Sequence, residues 1–257
     1  MLINVFFALT IGIFIGGAAG YIGSLMLTKR MSLIAGPLGH LTLPGIAIAF
    51  AYGFDISLGA LLFLVFGTAI IWLLQQKTKL PFEAITATVF ASSIAIAFLI
   101  LPKKKAGKAL LGDISQISPL TVIITVCATL AVFIIIRHIY SKMVLMGISE
   151  DLATTTGTNI SIYNFIYLTC IAITVALGVR IVGGLMTAAI VAIPACTSKN
   201  ISTTLTEYAY LSMFAGAISC ATGILFSIIT GKPVGPLIIV ASTALFVVSI
   251  FVKRPSI

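Results

Sequence analysis

LTVIITVCATLAVFIII, residues Leu120–Ile136, is a seventeen-residue stretch without a charge. Wound as a helix at about 1.5 Å per residue it covers about 25 Å, within one turn of the depth of a bilayer's hydrocarbon core. The polar stretch 102–119 precedes it and Arg137 and His138 follow. Similar runs lie on both sides, approximately Leu2–Leu27, Leu33–Phe54, Ile56–Leu74 and Ala84–Leu101 before it and Tyr163–Val179, Ile181–Cys196, Leu205–Ile229 and Val234–Val252 after it. The spacing predicts an all-α, polytopic integral membrane helix bundle of about nine transmembrane spans, forming one domain over residues 1–257. The seventh run is short and interrupted by Gly183, Gly184 and Pro194; read as re-entrant, it leaves eight spans.

The composition agrees. Of 257 residues, 60% are hydrophobic and 8% charged, against about a quarter charged in a soluble domain. Mean hydropathy is +1.23. A soluble enzyme, a nucleic-acid-binding domain and a disordered chain are excluded, because so few charges cannot clothe a soluble globule of 27.0 kDa. The net charge of +9 comes from Lys and Arg placed mainly between apolar runs, where they act as topology signals and lipid headgroup contacts rather than as a nucleic-acid face. Cys127, Cys170, Cys196 and Cys220 stand singly inside apolar runs without CxxC spacing, so they read as small core residues. The first run has no charge before it and no A-x-A pattern, and reads as a retained span rather than a secretory signal.

An odd number of spans puts the termini on opposite sides. With the N-terminus outside, the cytoplasmic segments carry Lys29, Arg30, Lys77, Lys79, Arg137, Lys142, Lys199, Lys253 and Arg254, and the other side Lys103, Lys104, Lys105, Lys108, Arg180 and Lys232. The bias favours a cytoplasmic C-terminus, with Lys103–Lys105 against it. The longest polar stretches are 102–119, expected to be an external loop with a short helix, and 137–159. Within the second, Ser149 reads as an N-cap, Glu150 and Asp151 favour the first turn of a helix, and Gly157 stops it. A short helix along the cytoplasmic face, followed by Asn159, is expected.

Enzymatic motifs are absent. GxxxxGK[ST], HExxH and GxSxG do not occur, so the chain has no ATP-binding loop of its own and is not read as an enzyme. Transport remains, driven by an ion gradient or by another polypeptide. His40, in Leu38-Gly-His-Leu-Thr-Leu-Pro-Gly-Ile46, is the one imidazole well inside an apolar run. It is either a pathway residue that meets a borderline divalent metal through a ring nitrogen, or a histidine satisfied by a neighbouring carbonyl. Pro44 opens the backbone ladder one turn on, and Gly36, Gly39 and Gly45 allow close helix approach. His138 reads as interfacial. Gly12, Gly16 and Gly20 strip one face of the first run for packing within the bundle or, secondarily, against another subunit. Met26, Met31, Met143, Met146 and Met186 form no copper-binding cluster and read as core fillers.

Three stretches together resemble the permease subunit of the ATP-binding-cassette importers that take up zinc and manganese. They are KRMSLIAGPLGHLTLPG (Lys29–Gly45), Gly147-Ile-Ser-Glu-Asp-Leu-Ala153 with Gly157, and VGGLMTAAIVAIPA (Val182–Ala195); Gly112-Asp-Ile114 and the Lys77–Glu83 loop also fall where the family has comparable features. The resemblance runs from about residue 10 to 252. It implies a cobalamin-permease-like helical fold in the plasma or inner membrane, working as a homodimer with cytoplasmic ABC ATPase subunits and an extracytoplasmic metal-binding protein. It implies no bound cofactor and no nucleic acid, only a zinc or manganese ion in transit past His40. The cytoplasmic loop of about 142–159 would dock on the ATPase, with Ile148, Leu152 and Ala153 as apolar anchors, Glu150 and Asp151 facing basic groups, and Ser149 and Gly157 as its ends. Gly36, Pro44, Gly45, Gly183, Gly184 and Pro194 would shape the pathway through breaks and close contacts.

Two departures stand out. The family usually has an aspartate where this chain has Gly36, one helical turn before the histidine, and a second acid at about Gly231. Asp55 and Asp113, near the outer mouth, and backbone carbonyls are the remaining oxygen donors. A weak metal site, pH-sensitive near the histidine value of about 6.5, is expected. The alternatives are an ABC permease for a non-metal substrate, a gradient-driven secondary transporter of a small solute, and a structural or assembly membrane protein. A secondary transporter would bury acidic residues, whereas every acid here lies in or beside a loop.

Overall fold

The computed structural model describes residues 2–28, 39–78, 80–100, 118–184 and 186–252. Ten helices follow one another among them: α1 (Leu2–Thr28), α2 (Thr42–Tyr52), α3 (Ile56–Lys77), α4 (Phe82–Ile100), α5 (Pro119–Ile148), α6 (Glu150–Thr155), α7 (Ile160–Val182), α8 (Thr187–Ile201), α9 (Leu205–Thr230) and α10 (Val234–Phe251). No strand occurs among the described residues. Local chemistry sets the starts. Asp55 caps α3 by accepting from Ser57 N at 2.8 Å and Leu58 N at 3.3 Å. Ser118 caps α5, with Pro119 at its first position, and Asn159 caps α7. Thr204 caps α9 through Glu207 N, while the Glu207 carboxylate reaches back to Thr203 N at 2.8 Å.

Each of the nine expected runs coincides with a helix, and among the described residues six helices are long and apolar enough to cross a bilayer: α1, α3, α5, α7, α9 and α10. α2 has 11 residues, following the break at Leu41, and α8 has 15, following the break at Gly183. α4 has 19 residues and is apolar over Ala84–Ile100. α5 departs the other way. Its apolar run ends at Ile136, yet the helix continues to Ile148, so most of the stretch expected as a loop is helical. Basic residues beyond the apolar run do not end a helix; they extend towards polar surroundings, and Lys142 Nζ donates to Tyr163 OH at 2.6 Å. His138 is exposed on this extension. Lys29 to Leu38 and the Lys103–Lys108 loop with its expected short helix lie outside the described residues.

α1 is the centre of the bundle, packed on α5, α7, α8 and α9. Its glycine face meets α9: a Cβ on Gly16 would enter the backbone of Gly216, and one on Gly20 that of Ser212. The face therefore serves packing inside the bundle. Met26, Met143 and Met146 are buried as fillers, and all four cysteines are free, Cys127 exposed and Cys170 and Cys220 buried. The outside is apolar, with Phe6, Leu62, Phe66, Leu120, Ile134 and Ile229 all largely exposed. Such a surface suits hydrocarbon and not water.

Candidate functional site

Gly39 and His40 form the end of a helical stretch, Leu41 breaks it, and α2 starts at Thr42. Pro44 falls in the first turn of α2, where the N–H groups have no helical partner, next to the break at Leu41. The His40 ring packs against Phe90, halfway along α4, with centroids 5.0 Å apart and planes tilted by 56°. Ser93, one turn further along α4, approaches the His40 carbonyl at 3.5 Å. The ring is half-buried, and its Nδ1 atom is buried with no hydrogen-bond partner among the described residues. An unsatisfied imidazole nitrogen at this depth is costly unless something passes that uses its lone pair, and a neutral ring nitrogen is a good donor to a borderline metal ion.

The far side of the same segment meets the break between α7 and α8. Gly183 ends α7 at φ 86°, ψ 155°, a conformation essentially confined to glycine. Beyond it, Gly184-Leu-Met-Thr187 repeats the Gly-x-x-Thr pattern of Gly39-His-Leu-Thr42. In both, the threonine hydroxyl donates to the carbonyl of its own glycine, at 2.7 Å for Thr42 and 3.3 Å for Thr187. The two motifs interlock. A Cβ on Gly39 would lie 2.8 Å from Thr187 Oγ1, and one on Gly184 would lie 2.8 Å from Thr42 Oγ1. Gly45 in turn packs backbone to backbone on Gly59 of α3. Pro194 sits inside α8 without ending it, and the Ser198 hydroxyl bonds its carbonyl at 2.9 Å. Two broken helices thus cross beside His40, with hydroxyls and carbonyls at the crossing.

Among the described residues no carboxylate is brought to the ring. The Asp55 carboxylate is taken up by capping α3, and it lines a cavity of about 520 Å³ between α1, α3, α5 and α7 whose walls do not include His40. Gly36 and Asp113 lie outside the described residues. Gly231 caps α9 in the left-handed region at φ 66°, a conformation an aspartate would hold only with strain. Among the described residues no group of three or more His, Cys, Asp and Glu could hold a metal ion.

The short helix expected between Ser149 and Gly157 is present as α6. Ser149 closes α5 through its N–H to Leu145 O at 3.0 Å and opens α6 by accepting from Leu152 N at 3.3 Å, so the chain turns a corner at one residue. Glu150 and Asp151 occupy the first turn. Ile148 is 72% and Leu152 54% exposed, whereas Ala153 is buried and holds the helix to the bundle. Gly157, at φ 74°, stops it.

A sequence model of the ABC 3 transport family matches residues 1–253. The chain belongs to that family. Its similarity to individual members is also full-length. It is 26% identical over 251 residues to the high-affinity zinc uptake system membrane protein ZnuB of Buchnera aphidicola, covering 95% of this chain and 96% of that one. It is 23% identical to the manganese import system permease protein ScaB of Streptococcus parasanguinis, covering 95% and 89%. Its fold matches PsaBC from Streptococcus pneumoniae, solved in complex with Fab, with a TM-score of 0.83 at 22% identity over 96% of this chain and 91% of that one.

As a member of the ABC 3 family the chain is a multi-pass membrane-transport protein. His40 and the glycines at 39, 45, 183 and 184 come together in one region, while Ile148–Gly157 forms a separate corner. Sequence reasoning missed Thr42 and Thr187. The signal was available as the repeated Gly-x-x-Thr, but nothing in the sequence says that the two copies touch.

Proposed function

We propose that the chain is the permease subunit of an ATP-binding-cassette importer for divalent metal ions, zinc or manganese. The observation that carries this reading is the full-length likeness to permeases named for zinc uptake and manganese import, at 95% coverage of this chain in both cases. The geometry supports it: a ring nitrogen, His40 Nδ1, is buried without a partner among the described residues at the crossing of the two helix breaks, and α6 offers apolar side chains at a corner of the bundle. On this reading the protein sits in the plasma membrane with nine spans, N-terminus outside and C-terminus cytoplasmic. It works as a homodimer, receives the ion from an extracytoplasmic binding protein and docks cytoplasmic ATPase subunits through α6. ATP hydrolysis belongs to those partners.

The ion meets His40 in transit. With no carboxylate brought to the ring among the described residues, carbonyl and hydroxyl oxygens are the other donors at hand, so the site is weak and releases quickly. The test is uptake of zinc and of manganese by the reconstituted complex, with the metal identified by mass spectrometry. His40→Ala should cut uptake at least tenfold while assembly and basal ATP hydrolysis stay near wild type. Wild-type uptake of both metals by His40→Ala would make the histidine structural.

A further inference from the structure

The sequence contains a single tryptophan, Trp72, five residues before the end of α3. In membrane proteins a tryptophan near a helix end ordinarily turns its indole N–H to headgroups or water. Here the donor is directed inward. Trp72 Nε1 donates to Ser161 Oγ at 3.0 Å and approaches the Ser161 carbonyl at 3.3 Å. Gln76, one turn further along α3, donates to the same Oγ at 3.0 Å. One hydroxyl therefore accepts two donors from two successive turns of α3, which uses both of its lone pairs. The Trp72 ring also packs on Phe165, one turn beyond Ser161 on α7, at 5.2 Å between centroids.

Ser161 is the second residue of α7, and its connection back to α6 is stiff. Thr158 N bonds Ala153 O at 3.0 Å and Gly157 N bonds Thr154 O at 3.0 Å, so the turn closes onto the docking helix. Ala153 and Thr158 are buried, the Thr156 and Thr158 hydroxyls meet at 3.3 Å, and Asn159 caps α7 through Ile162 N at 3.2 Å. Docking helix, turn and first turn of α7 form one corner, and Ser161 is its grip on α3. At its other half α3 touches the His40 segment. Gly59 packs on the Gly45 backbone, and the Leu41 side chain, next to His40, covers Gly67, where a Cβ would stand 3.1 Å from Leu41 Cδ1. An unbroken helix of 22 residues, about 33 Å long, joins the two contacts.

We propose that Ser161, with Trp72 and Gln76, is the coupling node of the transporter: it carries a displacement of α6 into α3 and so to the segment that holds His40. Ser161 is a positioning residue, since it touches neither cargo nor ATPase. The proposal rests on the reading of α6 as the ATPase dock. A rival route exists through α7 itself, whose far end reaches Thr42 at Gly184. Loss of the Ser161 hydroxyl removes both of its hydrogen bonds to α3 and weakens the α3 route, while the α7 route stays intact.

The test uses the full complex of permease and ATPase in lipid nanodiscs and proteoliposomes. Ser161→Ala, Trp72→Phe and Ser161→Thr are compared with wild type. Trp72→Phe keeps a ring against Phe165 and removes the N–H; Ser161→Thr keeps the hydroxyl. Ser161→Ala and Trp72→Phe should bind the ATPase with wild-type affinity and retain basal hydrolysis, while zinc or manganese moved per ATP falls at least fivefold. Ser161→Thr should restore the ratio. A second readout needs no metal: amide hydrogen exchange on adding ATPase and a non-hydrolysable nucleotide. In wild type, exchange should change in both segments 150–158 and 41–46; in Ser161→Ala only the first should respond. Wild-type metal per ATP in Ser161→Ala, or the same response of segment 41–46 in both proteins, overturns the node and leaves α7 as the carrier. ATPase that fails to bind wild type overturns the docking reading and the node with it. ATPase that binds wild type but moves neither metal overturns only the cargo reading, and hydrogen exchange still decides the node.

Discussion

Leu152→Asp is the sharpest perturbation of the proposed dock, because α6 separates the residues that hold it in place from those it presents. Ala153 is buried and Ser149 caps the helix, so neither anchoring contact involves the Leu152 side chain. The substitution should leave the corner folded. Fully burying a leucine or isoleucine side chain is worth about 2 kcal/mol. Leu152 is 54% and Ile148 72% exposed in the free chain, so docking has about 1 kcal/mol to gain at Leu152 and about 1.5 at Ile148. At 1.4 kcal/mol per tenfold, Leu152→Ala should weaken ATPase binding about fivefold and Ile148→Ala about tenfold. Leu152→Asp loses the same apolar contact and also carries an unpaired carboxylate into the cleft, a further cost of about 3 kcal/mol or more. Its affinity should fall several hundredfold. Binding of purified ATPase to permease in nanodiscs, measured by interferometry, gives the three ratios directly. Leu152→Asp binding within threefold of wild type, with the permease correctly inserted, would refute the docking role of α6.

The crossing beside His40 makes two further predictions. Gly39→Ala should impair transport, because its Cβ would meet Thr187 Oγ1 at 2.8 Å; adding Thr187→Ala should restore uptake whereas adding Thr42→Ala should not, and equal effects of the two would show that the interlock is not reciprocal. Gly183→Ala should destabilise the protein by about 1–3 kcal/mol in denaturant unfolding, since its backbone lies in a glycine-only region; unchanged stability would mean the break relaxes freely.

Much of this was legible in the sequence, and what was not has definite causes. Helix positions follow from apolar runs, and α6 could be read from Ser149, the paired acids and Gly157, because capping is a local signal. Span lengths were less legible. The extension of α5 past Arg137 and the shortness of α2 and α8 depend on neighbours: Lys142 finds Tyr163, and the breaks before Thr42 and Thr187 persist because they pack on each other. His40 could be singled out by residue type alone, but its unpaired Nδ1 and its contact with Phe90 could not. The pairing of Gly39 with Thr187 joins residues nearly 150 positions apart, and Trp72 with Ser161 nearly 90. No periodicity within one run encodes such contacts. Pro44 lies in the first turn of α2, just after the break at Leu41, and that position depends on a neighbourhood the sequence does not show.

The poverty of ligands around His40 among the described residues fits a carrier better than a store. A four-ligand structural zinc site binds with about 10–16 kcal/mol, or roughly 50 nM to 2 pM. With association at about 10⁸ per molar per second, a site of 1 nM releases its ion about once in ten seconds, and one of 1 pM about once in three hours. A transporter turning over about once per second or faster needs a transit site no tighter than about 10 nM. One imidazole assisted by neutral oxygens lies on the weak side of that limit, and a full set of charged ligands lies on the other. A carboxylate one turn before His40 adds Coulombic attraction that a weaker-binding metal needs and that zinc, already well served by imidazole, needs least. Glycine at position 36 therefore shifts the balance of the proposed cargo towards zinc. In Gly36→Asp, uptake of manganese should rise relative to zinc, and a fall in that ratio would remove this argument.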